Sequence, residues 1–466
     1  MFQKIFGVTT PLLFALVYPQ MAVAEPADAQ ILSSDTVPSD APQTVAKPRA
    51  SLHGGASYNV MLPSSAETTP SFEWTNAPPE APTALVEAIA IVTKRDPAAQ
   101  AAWLGARAAL SDVRGAKWLR YPSLTTDLGI TTGTNAIAPS VVLEVPLWSG
   151  GQISSTIRRA KTIEAASIAR WHEAVLSLAL ETSQHYWNIV LYTRLEQLTR
   201  DSLDEHQKLV ESMQRRVNQE VSPAADLELA KSRTAQIEQE LATVQAQRLS
   251  AMRNLAELVR DTDYGLGSEP PFDPANLTHD WENVATEVVQ YSPTRARLVL
   301  ESDAARAEIN IAKSGILPRV VAQHSYSEIT GSRFGVGLRL QTSSGLSQLS
   351  AVSSASTRYT QSLDQVRLAE RQVRQEIATE VQNFESSIRR ATASQSAALS
   401  AARVSQSYMR QFIAGRRSWL DVMNSLRESL GAQTGQAQAE VTAMAISVRL
   451  QLLSGRWQPT RTSLKD

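Results

Sequence analysis

Two stretches of the chain, 152–222 and 346–414, contain neither glycine nor proline. At average usage a run of 70 residues would hold about eight of them. Ala, Glu, Gln, Arg and Leu dominate both stretches, and all favour helix. Each predicts a rod of roughly 100 Å at about 1.5 Å per residue. In the second, apolar or small residues recur at Val366, Ala369, Val373, Ile377, Val381, Phe384, Ile388 and Ala391. The mean step is close to about 3.6, which predicts a nearly straight helix rather than a strict coiled coil. Four short segments read differently: LTTDLGITT (124–132), VVLEVPL (141–147), RVVAQHSYSEI (319–329) and FGVGLRLQ (334–341). In VVLEVPL, Val141, Leu143, Val145 and Leu147 oppose Val142, Glu144 and Pro146. In FGVGLRLQ, Val336, Leu338 and Leu340 oppose Gly335, Gly337, Arg339 and Gln341. Period-two alternation predicts strands with one apolar face, long enough to cross a bilayer when tilted.

The same order of elements occurs twice. At a shift of 196 residues Asp96-Pro97 falls on Ser292-Pro293, Ala116-Lys117 on Ala312-Lys313 and Pro122 on Pro318; at 195, Leu143 falls on Leu338, Gly150 on Gly345, Asp226 on Asp421 and Leu255 on Leu450. A register kept over so much chain means one unit used twice, over 83–260 and 281–457, joined by a turn-rich linker at 261–280. Each unit predicts a first helix (about 83–119 and 281–316), two strands, a Gly/Ser turn at 149–151 or 343–345, a long helix, a tip and a returning helix. Gly415 ends the second rod as a glycine C-cap does. Ser418 then predicts an N-cap with Asp421 in capping-box spacing. In the first unit Ser222 is the expected N-cap and Pro223 the first helical residue. The tips therefore fall at 218–223 and 413–418.

Ahead of the units, Lys4, the apolar stretch 5–18 and Ala22-Val23-Ala24 read as a signal peptide over 1–24. Residues 25–82 hold nine of the 22 prolines, which predicts a disordered arm; residues 458–466 read as a short tail. Acids and bases nearly cancel, 46 against 45, so no nucleic-acid partner is indicated. The absence of cysteine excludes disulfides, thiolate metal sites, a cysteine nucleophile and a lipidated N-terminal cysteine. The histidines at 53, 172, 185, 206, 279 and 324 lack metal-ligand spacing, and no P-loop or GxSxG occurs. No catalytic residue, metal site or cofactor is expected, and no enzyme.

Four strands cannot close a membrane barrel, for which about eight is the smallest number. An open sheet in lipid leaves unpaired backbone groups at its edges, so several chains must pool their strands in a closed oligomer. Glu144 and Arg339 then line the barrel lumen. The expected fold is mainly α with a small transmembrane β part: four strands per chain in an oligomeric barrel, continued by a tunnel of long antiparallel helices.

With the repeat, VPLWSGGQI (145–153) and YMRQFIAGRRSWLDVMNS (408–425), the chain resembles the TolC family of outer-membrane factors over about 83–457. The resemblance implies a homotrimer in the bacterial outer membrane, with a 12-stranded barrel and a 12-helix periplasmic tunnel. It also implies a periplasmic adaptor, or membrane fusion protein, and an inner-membrane ABC transporter or proton-driven pump. In the family the periplasmic gate is closed by links between hairpins and by aspartate rings. By position, Arg417 matches the linking arginine, Asp226 the carboxylate of the first hairpin and Asp421 the first ring aspartate. Phe412 stands where a linking tyrosine occurs, and Asn424 replaces the second ring aspartate. Adaptors grip the tip glycine, here Gly415 beside Arg416; in the first unit Glu220, Val221 and Ser222 stand there. The segment TSSGLSQLSAVSSAS (342–356) resembles factors that export large adhesins, and many efflux factors carry a lipidated cysteine. Type I protein secretion is therefore the expected role. Drug or metal efflux is the alternative, and a periplasmic coiled-coil adaptor or scaffold the second.

Overall fold

A computed structural model describes residues 72–461, apart from 75–76, 131–136, 262–263, 266, 268–270, 276, 278–280, 282, 328–330 and 341–346. The signal peptide, most of the proline-rich arm and the Gly/Ser turn at 343–345 lie outside the described residues.

The two units are near copies in length. Helix α2 (Pro97–Trp118) corresponds to α6 (Pro293–Ser314), 22 residues each. The rods α3 (Gln152–Asn218) and α7 (Ser347–Ile413) have 67 residues each. The returning helices α4 (Ala224–Val259) and α8 (Trp419–Ser454) have 36 each. Between them stand strands β2 (Ser123–Ile130), β3 (Ile137–Trp148), β4 (Arg319–Ser327) and β5 (Gly331–Arg339). Each rod is about 100 Å long. Its sheet-proximal part packs on α2 or α6, and its far part on α4 or α8.

The expected first helix of each unit is broken in two. In unit one α1 (Thr83–Arg95) stops before Asp96-Pro97; in unit two α5 (Val284–Tyr291) stops before Ser292-Pro293. Proline drives the residue before it out of the helical region, and that residue then caps the next helix. Asp96 accepts from the Ala98 N–H at 2.7 Å, and Ser292 from the Arg295 N–H at 3.3 Å. Pro223 is itself the N-cap of α4 rather than its first residue, and Ser222 lies outside the helix.

The seam of α7 also departs from the 3.6-step expectation. Six of its buried residues, Ile377, Phe384, Ala391, Ala398, Ser405 and Phe412, are seven apart over its far half, a heptad spacing that makes helices wind around each other. α3 is buried more broadly, because α2, α4, α6 and α8 all lie against it.

Halfway along the rods α1, α5 and the linker wrap the helices around one apolar cluster that includes Leu85, Trp103, Trp171, Tyr186, Trp187, Leu255, Trp281, Phe384, Met444 and Val448. The described residues between 72 and 82 belong to this body rather than to the arm. Strand β1 (Phe72–Glu73) pairs with β6 (Thr460–Arg461), within the expected tail. Trp74 meets Trp457 edge-on at 5.5 Å, and buried Glu80 accepts from Ser447 and Gln451, each at 2.7 Å. The arm expected over 25–82 therefore ends earlier than its prolines suggest: prolines mark loops, while one tryptophan suffices to anchor a loop.

Candidate functional site

The sheet has the order β2-β3-β4-β5, antiparallel throughout, and the β3–β4 pairing joins the two units. β2 and β5 are its edges; among the described residues neither has a strand on its outer side. Alternation along the paired strands sorts the side chains onto two faces. One face carries Leu124, Leu128, Leu143, Phe334, Val336 and Leu338, all exposed, with Leu338 at 72%. An apolar patch of this extent on a single chain marks a surface made for lipid or a partner. A bulge between Pro146 and Trp148 adds Leu147 to the pleat, and Leu147 and Trp148 are both exposed. Trp118 and Tyr121, their rings tilted against each other at 4.9 Å where α2 meets β2, are exposed at the same end. Aromatic rings there fit the belt found at a membrane boundary. Trp103 and Trp171 instead pack together inside, at 4.9 Å. No described helix is long and apolar enough to cross a membrane.

The other face holds Ser123, Thr125, Asp127, Ser140, Glu144, Arg319, Gln323, Ser325, Arg333, Gly335, Gly337 and Arg339. Glu144 and Arg339 do share it. They are repeat equivalents, 195 residues apart, and they pair: Arg339 Nη1 lies 3.1 Å from Glu144 Oε1 and 3.0 Å from Oε2.

At the far end of the rods both tips close in the same way. In the second, Gly415 is left-handed at φ +75°; its N–H donates to the Phe412 carbonyl, and the Arg416 N–H to the Gln411 carbonyl, both at 2.9 Å. In the first, Glu220 is left-handed at φ +59°; its N–H donates to the Val217 carbonyl at 3.0 Å and the Val221 N–H to the Arg216 carbonyl at 2.9 Å. These are two Schellman caps. Glu220 replaces glycine there without changing the backbone, although the conformation costs a non-glycine residue about 1–2 kcal/mol. Ser418 caps α8, accepting from the Leu420 N–H at 3.2 Å.

Arg416, Val221, Gly415 and Asn424 are exposed, and Ser222 and Asp226 half-buried. Arg417 lies 3.8 Å from Asp421 of its own helix turn, not against Asp226. A half-exposed pair of this kind contributes little to stability. Phe412 is not a surface residue of the mouth: it is 2% exposed, packed with Leu209, Met213, Leu227, Val422, Met423 and Leu426. Two contacts had no signal in the sequence. Arg216 of α3 sits over the Phe412 ring at 4.7 Å, tying the two hairpins together, and Arg417 sits over Tyr408 at 4.0 Å. Such cation–π contacts contribute about 0.5–2 kcal/mol. Beside them a groove of 880 Å³ runs between the ends of α3 and α7, bordered by Lys208, Arg215, Arg410, Met409 and Ile413.

Residues 89–259 match the family model described as outer membrane efflux protein. No curated protein matches the chain. Among solved structures, the outer membrane protein VceC from Vibrio cholerae is 18% identical over 80% of this chain and 96% of its own, with a TM-score of 0.70. A membrane protein from Pseudomonas aeruginosa is 18% identical over 85% of this chain and 100% of its own, TM-score 0.71. The open-state MtrE outer membrane channel from Neisseria gonorrhoeae is 16% identical over 85% and 98%, TM-score 0.66. Residues 89–259 thus match the outer membrane efflux protein family model, and the chain as a whole has the fold of the outer membrane channels it is compared with.

Proposed function

We propose that three copies of this chain close a 12-stranded barrel in the outer membrane and a helical tunnel below it, forming the exit duct of a tripartite export machine. The observation that carries this reading is the sheet: one exposed apolar face, one polar face and two free edges. Exposed in water, each large apolar side chain forgoes about 1.5–3 kcal/mol of burial, and each edge leaves backbone groups unpaired. Lipid covers the first and a neighbouring protomer the second. β5 of one chain runs antiparallel to β2 of the next, which continues the alternation around the ring. The polar face, with Glu144 and Arg339, then lines the lumen. The hairpin tips form the periplasmic mouth, where Arg417, Asp226, Asp421 and Asn424 border the gate, and a periplasmic adaptor docks on Glu220, Val221, Ser222, Gly415 and Arg416. An inner-membrane transporter supplies the energy.

The cargo we assign is a protein exported by type I secretion through an ABC transporter. The support is the segment 342–356, whose described part, 347–356, opens α7. Efflux of small compounds by a proton-driven pump is the second reading, favoured by the family match.

The chain has no cysteine, so introduced ones report cleanly. Single cysteines placed along β2 at Leu124, Thr126 and Leu128, combined with others along β5 at Phe334, Val336 and Leu338, should yield disulfide-linked trimers in isolated outer membranes for at least one pair. A protein that carbonate washes off the membrane as a monomer would overturn the duct. Deleting the gene separates the cargoes: loss of one large protein from the medium supports secretion, whereas raised sensitivity to small toxic compounds with an unchanged secreted set supports efflux.

A further inference from the structure

The polar face of β5 reads, at alternate positions, Arg333, Gly335, Gly337, Arg339. Two guanidinium groups thus flank a stretch of bare backbone. A Cβ built on either glycine would meet nothing within 4 Å. A third arginine, Arg319 of β4, stands directly opposite Arg339 in the strand register. Like charges placed opposite each other across a sheet repel. Among the described residues one carboxylate offsets them: Glu144 takes Arg339 at 3.0–3.1 Å. Arg319 and Arg333 are exposed, and their guanidinium groups have no hydrogen bond or ion pair among the described residues. On the opposite edge of the sheet the same face offers a single further acid, Asp127.

We propose that this strip, Arg333-Gly335-Gly337-Arg339 with Arg319 beside it, is a binding track for oxyanion groups on the inner face of the sheet. Guanidinium groups match the planar or tetrahedral oxygens of carboxylate and phosphate through paired N–H donors. The glycines let such a group lie close to the strand. Residues 333 and 339 are about 20 Å apart along an extended strand, so a ligand with several anionic groups engages the track better than one with a single group. Glu144 sets its strength, because it occupies Arg339 while no described residue pairs with the Arg319 side chain. In the trimer proposed above, on which this inference rests, three such tracks face one lumen. They lie far from the acidic residues of the hairpin tips.

The test uses the full chain in planar bilayers with sodium tripolyphosphate as the probe, added on the strand side. Wild-type current should fall as the probe is titrated. Arg319→Gln and Arg333→Gln should each raise the half-blocking concentration about 5-fold or more. Glu144→Gln, which frees Arg339, should lower it. Channels that conduct but are indifferent to tripolyphosphate, or block that is the same in all three variants, would overturn the track and leave the duct standing. A wild-type protein that forms trimers in the cross-linking experiment yet conducts no current would remove both the lumen and the track within it.

Discussion

Four residues end the helices of the two hairpins in a left-handed backbone: Glu220 and Arg260 in the first unit, Gly415 and Gly455 in the second. They are equivalent in pairs, so the fold demands the conformation and the residue only moderates its cost. The glycines differ in a second way. A Cβ on Gly455 would run into the Tyr291 ring, whereas at Gly415 the nearest atom is the Arg216 guanidinium at 3.7 Å. Gly415→Ala should therefore cost about 1 kcal/mol, the conformational term alone. Gly455→Ala adds the overlap with a ring packed at the waist, and should cost about 2–4 kcal/mol. Thermal unfolding of the purified protein checks the order; equal losses at the two sites would show that Tyr291 yields freely. Sequence alone locates Gly415, since a glycine closing so long a helical run has few other uses. It gives no hint of Tyr291, because that approach depends on where the linker lays α5.

At the scale of the element, α3 is the member with neighbours on most sides, and two of its three histidines, His172 and His206, are held by burial among the neighbouring helices. Burial holds His172 below its ordinary pKa. Burial does the same for His206, partly offset by the Ser202 carbonyl that accepts from its Nδ1–H at 2.7 Å. An unfolded chain takes up a proton on each near pH 6.5, whereas the folded chain does so only at lower pH. Unfolding thus takes up protons in that interval, and stability is full above about 6.5 and declines as pH falls below it. Denaturant midpoints at pH 7.5 and 5.5 should differ less in His206→Asn than in wild type; an unchanged difference would show that His206 does not contribute. The existence of the rods, their lengths and the alternation of the strands were legible in the sequence because each rests on local chemistry. The heptad seam of α7 was not, because small residues such as Ala391, Ala398 and Ser405 look alike whether they face a partner helix or solvent. The breaks at Asp96-Pro97 and Ser292-Pro293 had a signal, proline after a capping residue, that the expectation of one continuous helix overrode. At the tip of α7 the resemblance gives only that Phe412 stands where a linking tyrosine occurs; in the structure its side chain is the middle of a small apolar core, and the cation beside it comes from the other unit.

For the whole molecule, the repeat decides the architecture: β3 pairs with β4, so the sheet exists only when both units are present. The pairing of Glu144 with Arg339 follows from the same fact, since duplicated positions that meet across one sheet can diverge into opposite charges. The edges of that sheet, β2 and β5, have no neighbouring strand among the described residues. The waist is different, because it is complete within the chain. Trp457 is fully buried there against Trp74, and Glu80 takes its hydrogen bonds from α8. Replacing Trp457 with alanine should cost about 3–5 kcal/mol and expose the chain near residue 80 to limited proteolysis. A variant as protease-resistant as wild type would mean that the strand pairing alone holds the two ends.

That clasp also imposes an order in time. A polypeptide delivered amino end first brings residues 72–80 out early, but their partners, 447–461, come last. The girdle around the rods cannot be fastened until nearly all of the polypeptide has arrived. Until then the opening segment must wait unoccupied, with its tryptophan bare, for a seat that does not yet exist.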